Sequence, residues 1–387
     1  MKAKNSVKAL VLSLGLVGGV LSTADSAETL KIGVIAPLTG GGAVWGKACE
    51  QAAQITAGEI NAKGGLDVGG KTYHLQIIAY DDQFKTADAV AAYNRLVNQD
   101  DVKYMIIHTS NAATALKQTV ETDKVVAITG GFGGQVIDAN STYLFRFYSA
   151  PRDYMPALAA WMKANLKGKT IALVNPNIEG AYEQANLAAD LYPKNGFEIV
   201  ARDVYEMSEK DFSPLLTKVI ARNPDIIDLG SSAPATAGLI VRQARELGYK
   251  GLIIKTAGPS PRDIVAAAGA PATEGMINFL FADPANPGYQ RLAAEYKKNV
   301  GQDPNEMLLP CYDGFNALVR AIQKGGDVND SAKVRDAFAS VFPMTSTQGD
   351  TLTLGGKQTF GADQEIITTN YIGVIKDGQP VAIGKIK

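Results

Sequence analysis

The sequence predicts an α/β protein of two lobes, each built on a mostly parallel sheet. Three observations point there. Short β-branched runs alternate with helically spaced stretches along most of the chain, the alternation starts afresh after Pro151, and 387 residues exceed what one hydrophobic core usually serves. A hydrophobic content of 46% excludes a disordered chain, and 39 glycines and 17 prolines without a fixed period exclude a fibre. Lys plus Arg, 38, nearly cancels Asp plus Glu, 39, so the total charge gives no support for a polyanion-binding surface. Two histidines and two cysteines argue against a zinc cluster of imidazoles and thiolates.

Residues 1–27 have the form of a secretory signal peptide. Lys2, Lys4 and Lys8 precede a short apolar run from Ala9 to Leu21, and small residues lead to Ala27, the expected cleavage point. The run is too short to span a bilayer, and no cysteine follows it to carry a lipid anchor. The cell envelope permits but does not require pairing of Cys49 with Cys311, and two buried free thiols are expected.

The first lobe opens with a strand from Leu30 to Ala36, stopped by Pro37. Cys49, Ala52, Ala53, Thr56 and Ile60 then recur at helical spacing over Ala48 to Asn61, and Lys63-Gly64-Gly65 ends that helix. Strand pattern returns from Tyr73 to Tyr80, helix from Thr86 to Asn98, strand from Val102 to His108, helix from Asn111 to Glu121, and strand from Val125 to Thr129. Such βαβα order implies parallel strands with helices on both faces.

The second lobe repeats the rhythm. Met155 to Asn165 is helical, Thr170 to Val174 a strand, Tyr182 to Asn195 a helix stopped by Gly196, and Phe197 to Asp203 a strand. Phe212 to Arg222, Asp225 to Leu229, Ala235 to Leu247 and Gly251 to Lys255 continue it, and Glu274 to Phe281 reads as a strand leaving this unit. Helices from Tyr289 to Val300 and from Tyr312 to Lys324 suit the first lobe. Asp350 to Lys357 and Asn370 to Ile383 alternate and turn at Asp377-Gly378, the pattern of antiparallel edge strands.

Enzymatic readings find little to stand on. Gly40-Gly41-Gly42-Ala43-Val44-Trp45-Gly46 after the first strand forms neither a dinucleotide fingerprint nor a phosphate loop, and Trp45 adds bulk where a pyrophosphate needs close backbone approach. Asp81-Asp82 at a strand end reads as a pair of turn and capping carboxylates. His108 could serve as a general base, yet it ends an apolar run with no evident acidic partner. The chain contains no GxSxG.

Ile32-Gly-Val-Ile-Ala-Pro-Leu-Thr-Gly40, Trp45-Gly46, Ile60-Asn-Ala-Lys-Gly-Gly65, Tyr80-Asp-Asp-Gln83 and Leu239-Ile-Val-Arg-Gln-Ala-Arg245 stand in an order and separation that resemble the Leu/Ile/Val-binding protein family. These are type I periplasmic receptors of branched-chain amino acid ABC transporters. The resemblance implies two Rossmann-like lobes joined by three hinge crossovers, here placed near Phe147, Asn278 and Gly349. Residues 28–147 and 279–349 would form lobe 1, and residues 148–278 and 350–387 lobe 2. It also implies a periplasmic monomer without catalytic activity or cofactor, serving an inner-membrane permease and not nucleic acid. A sensory receptor on the same fold, or a secreted α/β enzyme, is the competing class.

Carried over residue by residue, the resemblance is uneven. Ser110 matches the serine that binds a ligand carboxylate, Gly131 the position whose carbonyl meets an ammonium, and Gly133 a position whose N–H meets the carboxylate but whose family hydroxyl is missing. Trp45 matches an aromatic side-pocket position, with Phe132 as a second face. The family's pocket tyrosine falls near Gly180, where Glu179 and Tyr182 are the nearest bulky residues. A second tyrosine falls at Gly230, and the acidic partner of the ligand ammonium falls at Ala257. An ammonium buried without that acid costs several kcal/mol. The expected ligand is therefore an aromatic or branched oxo or other organic acid. Branched-chain or other amino acids and amides are the alternative if Glu179 reaches the cleft.

Overall fold

The computed structural model describes Met1, residues 27–361 and residues 363–386. The expected export signal lies, apart from its two ends, outside the described residues. Among the described residues no helix is long and apolar enough to cross a membrane.

Two sheets form the molecule. The first has nine strands in the spatial order Met344–Thr345, Thr351–Gly355, Glu365–Ile367, Leu144–Arg146, Val126–Thr129, Tyr104–Ile107, Glu28–Ala36, Lys71–Asp81 and Leu66–Val68. The second has seven, in the order Gln379–Ile386, Asn370–Lys376, Ile277–Leu280, Leu252–Lys255, Ile226–Asp228, Thr170–Pro176 and Glu198–Tyr205. The inner pairings of both sheets are parallel and the outermost ones largely antiparallel. Tyr104–Ile107 and Val126–Thr129 are buried at every position, as strands covered by helices on both faces must be. The last two strands turn at Asp377-Gly378, both with positive φ, which a tight hairpin turn demands.

Chain order fixes where a ligand can sit. In the first sheet the chain passes from Glu28–Ala36 outward to Lys71–Asp81, then returns to Tyr104–Ile107 on the opposite side of the first strand. In the second it passes from Thr170–Pro176 to Glu198–Tyr205 and returns to Ile226–Asp228 on the other side. Each reversal opens a crevice beyond the carboxyl ends of the strands, the usual binding place in such sheets. Trp45, His108 and Ser110 lie beyond the first reversal, and Gly180 and Ser231 beyond the second.

Helices start and stop a few residues from their expected bounds. The first runs Ala43–Asn61 and packs against Leu308–Gly325, so the first lobe does take back the later helices. The helix over Pro261–Ala268 and that over Ser331–Phe338 were not foreseen from periodicity.

Two expectations change. Cys49 and Cys311 are joined as a disulfide with their Cα atoms 5.1 Å apart, a normal span for a bridge, so they are not free thiols. The third crossover lies between Glu365–Ile367 of the first sheet and Asn370–Lys376 of the second, and not near Gly349. The strand Thr351–Gly355 pairs antiparallel with Glu365–Ile367 and so belongs to the first sheet. Alternation alone does not say which sheet edge an exposed strand will join. The second crossover also falls slightly later than Asn278, since Ile277–Leu280 stays within the second sheet. The crossovers are side by side: Tyr148 lies 4.7 Å from Phe281 between ring centroids, and the Ser149 hydroxyl accepts the Thr368 N–H at 2.9 Å.

Candidate functional site

The two crevices face each other across a cleft of about 520 Å³, part of it open to solvent. One end is a polar cradle. The helix Ser110–Asp123 begins there, and Thr109 is its cap, accepting the Ala112 N–H at 3.3 Å. Capping by Thr109 leaves the next hydroxyl for other work. Ser110 Oγ accepts the N–H groups of Phe132 at 2.9 Å and Gly133 at 3.2 Å. A hydroxyl that accepts two N–H groups keeps its own proton to donate. Together with the positive end of a helix of 14 residues, that proton suits an anion such as a carboxylate.

The body of the cleft is apolar. Trp45, Phe84, Phe132, Tyr148 and Met307 line it. The Trp45 and Phe84 rings meet edge-on at 6.4 Å, and Phe132 and Tyr148 at 5.0 Å. Phe84 is held in place by Asp82, whose carboxylate accepts the Phe84 N–H at 2.9 Å. Burial pushes Asp82 up to about 6, against the pull of that bond and of the Thr109 hydroxyl. Asp81 accepts the N–H groups of Leu38 and Gln83, so both acids do serve the turn.

The second lobe closes the cleft with small residues. A Cβ on Gly180 would stand 2.9 Å from Ser110 Oγ, so only glycine allows the lobes to approach this closely. Gly258, at φ +57°, lies under Trp45, where a Cβ would stand 3.0 Å from the ring. Trp45 Nε1 donates to the Pro259 carbonyl at 3.2 Å, a bond across the cleft. The buried Lys255 ammonium donates to the carbonyls of Ala257 and Gly258 and lies 5.6 Å from the Trp45 ring. Burial pulls Lys255 down to about 7, opposed by Asp228, Asp263 and Glu306.

Of the residues singled out from sequence, Trp45, Ser110 and Phe132 line the cleft. Gly133 contributes its N–H to Ser110. The Gly131 carbonyl already accepts Arg146 Nε at 2.7 Å. Tyr182 turns away from the cleft: it is 42% exposed and its hydroxyl donates to Asn177. About half a helical turn, roughly two residues, separates facing inward from facing outward, and ungapped counting could not resolve it. Glu179 begins the helix Glu179–Lys194, and its side chain lies outside what is described. Ala257 is buried beside the cleft without lining it, its carbonyl held by Lys255. His108 lines the cleft with no hydrogen-bond partner on either ring nitrogen among the described residues, so no group orients it as a base. The sulfurs of Cys49 and Cys311 lie within 4.8 Å of a ring nitrogen, and their covalent pairing removes the thiolates a metal would need.

Sequence reasoning missed Phe84, Tyr148, Ser231 and Met307 as lining residues. The first and third were within reach, since both follow the carboxyl end of a strand beside a reversal. Tyr148 and Met307 come from a crossover and from a loop before a helix, where no pattern points inward.

A sequence model of the periplasmic binding protein family matches residues 29–380. The Leu/Ile/Val-binding protein of Escherichia coli is 29% identical over 336 residues, covering 85% of this chain and 88% of that one. Among solved structures, a branched-chain amino acid transporter substrate-binding protein from Streptococcus pneumoniae, in complex with isoleucine, superposes with a TM-score of 0.81 at 23% identity, covering 92% of this chain and 100% of that one. A solute-binding protein of an ABC transporter from R. palustris, in complex with benzoate, superposes with a TM-score of 0.80 at 18% identity, covering 92% and 96%. These two likenesses carry the fold alone.

Proposed function

The chain belongs to the periplasmic binding protein family, in its type I Leu/Ile/Val-binding branch, and we propose that the ligand it captures is a small organic acid without a charged amine. It is a non-catalytic periplasmic receptor of an ABC importer, binding a small organic or amino-acid ligand between its lobes. Hinge closure around the ligand is the known motion of such receptors.

The carrying observation is the mismatch between the two ends of the cleft. Ser110, with the N–H groups around it, supports a carboxylate at one end. None of the described lining residues is acidic, and the Gly131 carbonyl already accepts from the Arg146 guanidinium. An ammonium there would lose its water and gain no counter-charge, at a cost of several kcal/mol. An aromatic or branched acid loses nothing comparable and sets its apolar body against Trp45, Phe84 and Phe132. Ser110 and Trp45 are the residues we assign to its carboxylate and its body.

A second reading has a specific observation behind it. Relatives are named as binding amino acids, among them the Leu/Ile/Val-binding protein at 29% identity. On that reading Glu179, at the start of the helix facing Ser110, would meet the ligand ammonium. Calorimetric titration with matched pairs, leucine against its oxo acid and phenylalanine against phenylpropanoate, separates the two. Tighter binding of the acids upholds the proposal. Tight binding of leucine or phenylalanine, lost in Glu179→Gln, replaces it with the amino-acid reading.

A further inference from the structure

The cleft holds two polar side chains that the carboxylate cradle does not use, one from each lobe. His108 follows the strand Tyr104–Ile107 and is 4% exposed. Ser231 follows the strand Ile226–Asp228 and is 6% exposed. Both line the cleft. Neither imidazole nitrogen, nor the Ser231 hydroxyl, has a hydrogen-bond partner among the described residues. Buried polar groups in native proteins are rarely left so, and each carries a desolvation cost until something pairs with it. Here both side chains belong to residues that line the space a ligand fills.

The three hydroxyls next to them in sequence are accounted for. Thr109 is bound to Asp82 and to its own helix, and Ser110 to Phe132 and Gly133. Ser232, next to Ser231, donates to the Leu229 carbonyl at 2.6 Å. Among the residues that line the cleft, His108 and Ser231 are the ones whose buried polar atoms lack a partner among the described residues. Burial pulls His108 down to about 4, so its ring is neutral at ordinary pH, with one nitrogen donating and the other accepting.

We propose that the ligand bears a hydroxyl group on its apolar body, distinct from its carboxylate, and that this hydroxyl is recognised jointly by His108 of the first lobe and Ser231 of the second. A hydroxyl fits because it donates and accepts at once. It gives its proton to the bare imidazole nitrogen and accepts the Ser231 O–H, or the reverse arrangement with the imidazole N–H. The ligand class is then a hydroxylated aromatic or branched carboxylic acid. This inference rests on the organic-acid reading above and narrows it. Placing the pair on opposite lobes also makes recognition depend on closure, because the second bond forms only when the lobes meet. Discrimination would be steep, since an analogue lacking the hydroxyl leaves buried groups unpaired.

The test uses acid pairs that differ only by a hydroxyl: benzoate and para-hydroxybenzoate, phenylpropanoate and its para-hydroxy analogue, isovalerate and its hydroxy analogue. Each is titrated calorimetrically into the wild-type protein and into His108→Leu, His108→Gln and Ser231→Ala, with leucine and isoleucine alongside. In at least one pair the hydroxylated member binds at least roughly tenfold tighter to the wild type. His108→Leu and Ser231→Ala bring that ratio close to one, and His108→Gln, which retains a donor and an acceptor, restores part of it. Equal affinities within every pair that binds, or a ratio that survives both apolar variants, overturns the inference and leaves the organic-acid reading standing. If no acid binds and leucine or isoleucine does, the organic-acid reading itself falls and takes this inference with it.

Discussion

Arg146 and Glu365 form an ion pair of 2.9 Å in which neither side chain is exposed. The guanidinium also donates to the carbonyls of Gly131, at 2.7 Å, and Gly133, at 3.0 Å, so the pair grips the loop whose N–H groups aim at Ser110. Glu365 accepts the Ala150 N–H from the start of the helix Pro151–Asn165. One buried pair thereby ties the binding loop to two of the crossovers. Removing Glu365 would leave the guanidinium buried without its counter-charge.

We therefore expect Glu365→Ala to destabilise the protein by ~3–5 kcal/mol, the usual cost of breaking a buried pair from one side. Urea denaturation midpoints would show it. A midpoint within error of the wild type would mean that Arg146 finds another partner.

Ser110→Ala removes one charge-assisted hydrogen bond to the ligand, typically worth ~1.5–3 kcal/mol, or roughly ten- to a hundredfold in Kd. It also frees the Phe132 and Gly133 N–H groups, which recover part of the loss by turning to the carboxylate directly. Calorimetry with whichever acid binds the wild type decides the matter, and unchanged affinity would remove Ser110 from the site.

Much of this was legible in the chain, for physical reasons that differ by residue. Continuous apolar runs such as Tyr104–Ile107 announced buried parallel strands because both their faces are covered. Ser110 was legible because a strand end, a hydroxyl and a helix start coincide in sequence. Ser231 and Phe84 obey the same positional rule at strand ends, but neither coincides with a helix start that would mark it in the sequence. Tyr182 went wrong for a local reason: at a helix start, a shift of two positions turns a side chain through about half a turn. The third crossover went wrong for a global one. Strands Thr351–Gly355 and Asn370–Lys376 look alike in pattern, and only pairing partners across the whole fold assign them to different sheets.

Glu306 gives the protein a pH dependence. Its carboxyl is 1% exposed with no hydrogen-bond partner on either oxygen among the described residues. Burial first, and then Asp263, push it up to about 8, while Arg262 and Lys255 pull the other way. A carboxyl raised in the folded state holds a proton there that the unfolded chain has already released. Stability therefore falls as pH rises from the ordinary glutamate range toward 8, and levels off above it. Glu306→Gln cannot lose a proton, so its advantage over the wild type should grow across that window and reach a few kcal/mol. Melting temperatures of both proteins from pH 5 to 9 would reveal it, and parallel curves would show that Glu306 finds a partner in solution.

The Cys49–Cys311 bridge links two helices of the first lobe across 262 residues of chain. Closing so long a loop constrains the unfolded state strongly, and a bridge of this kind is typically worth ~2–4 kcal/mol. The doubly substituted Cys49→Ala, Cys311→Ala protein should unfold at lower denaturant than the oxidised wild type, by about that margin. Reductant should lower the wild-type midpoint and leave the variant's where it is. A reductant effect on the variant would point to something other than this bridge.

Gly180 offers the sharpest test of how the lobes meet. In the second lobe it sits against Ser110 of the first, where a Cβ would stand 2.9 Å from Oγ and 3.7 Å from the Phe132 Cβ. Its φ is not in the left-handed region, so alanine strains nothing within its own helix, and the open protein should fold and melt as the wild type does. Closure is what suffers, because the added methyl crowds Ser110 Oγ, which two N–H groups hold in place. Overpacking of this size typically costs ~1–3 kcal/mol, which translates into a Kd raised roughly five- to a hundredfold through faster ligand release. Small-angle scattering at saturating ligand should show Gly180→Ala with a radius of gyration between the open and closed wild-type values. Full closure at wild-type affinity would show that the helix Glu179–Lys194 can shift to admit a side chain, and that the contact between Gly180 and Ser110 does not limit the site.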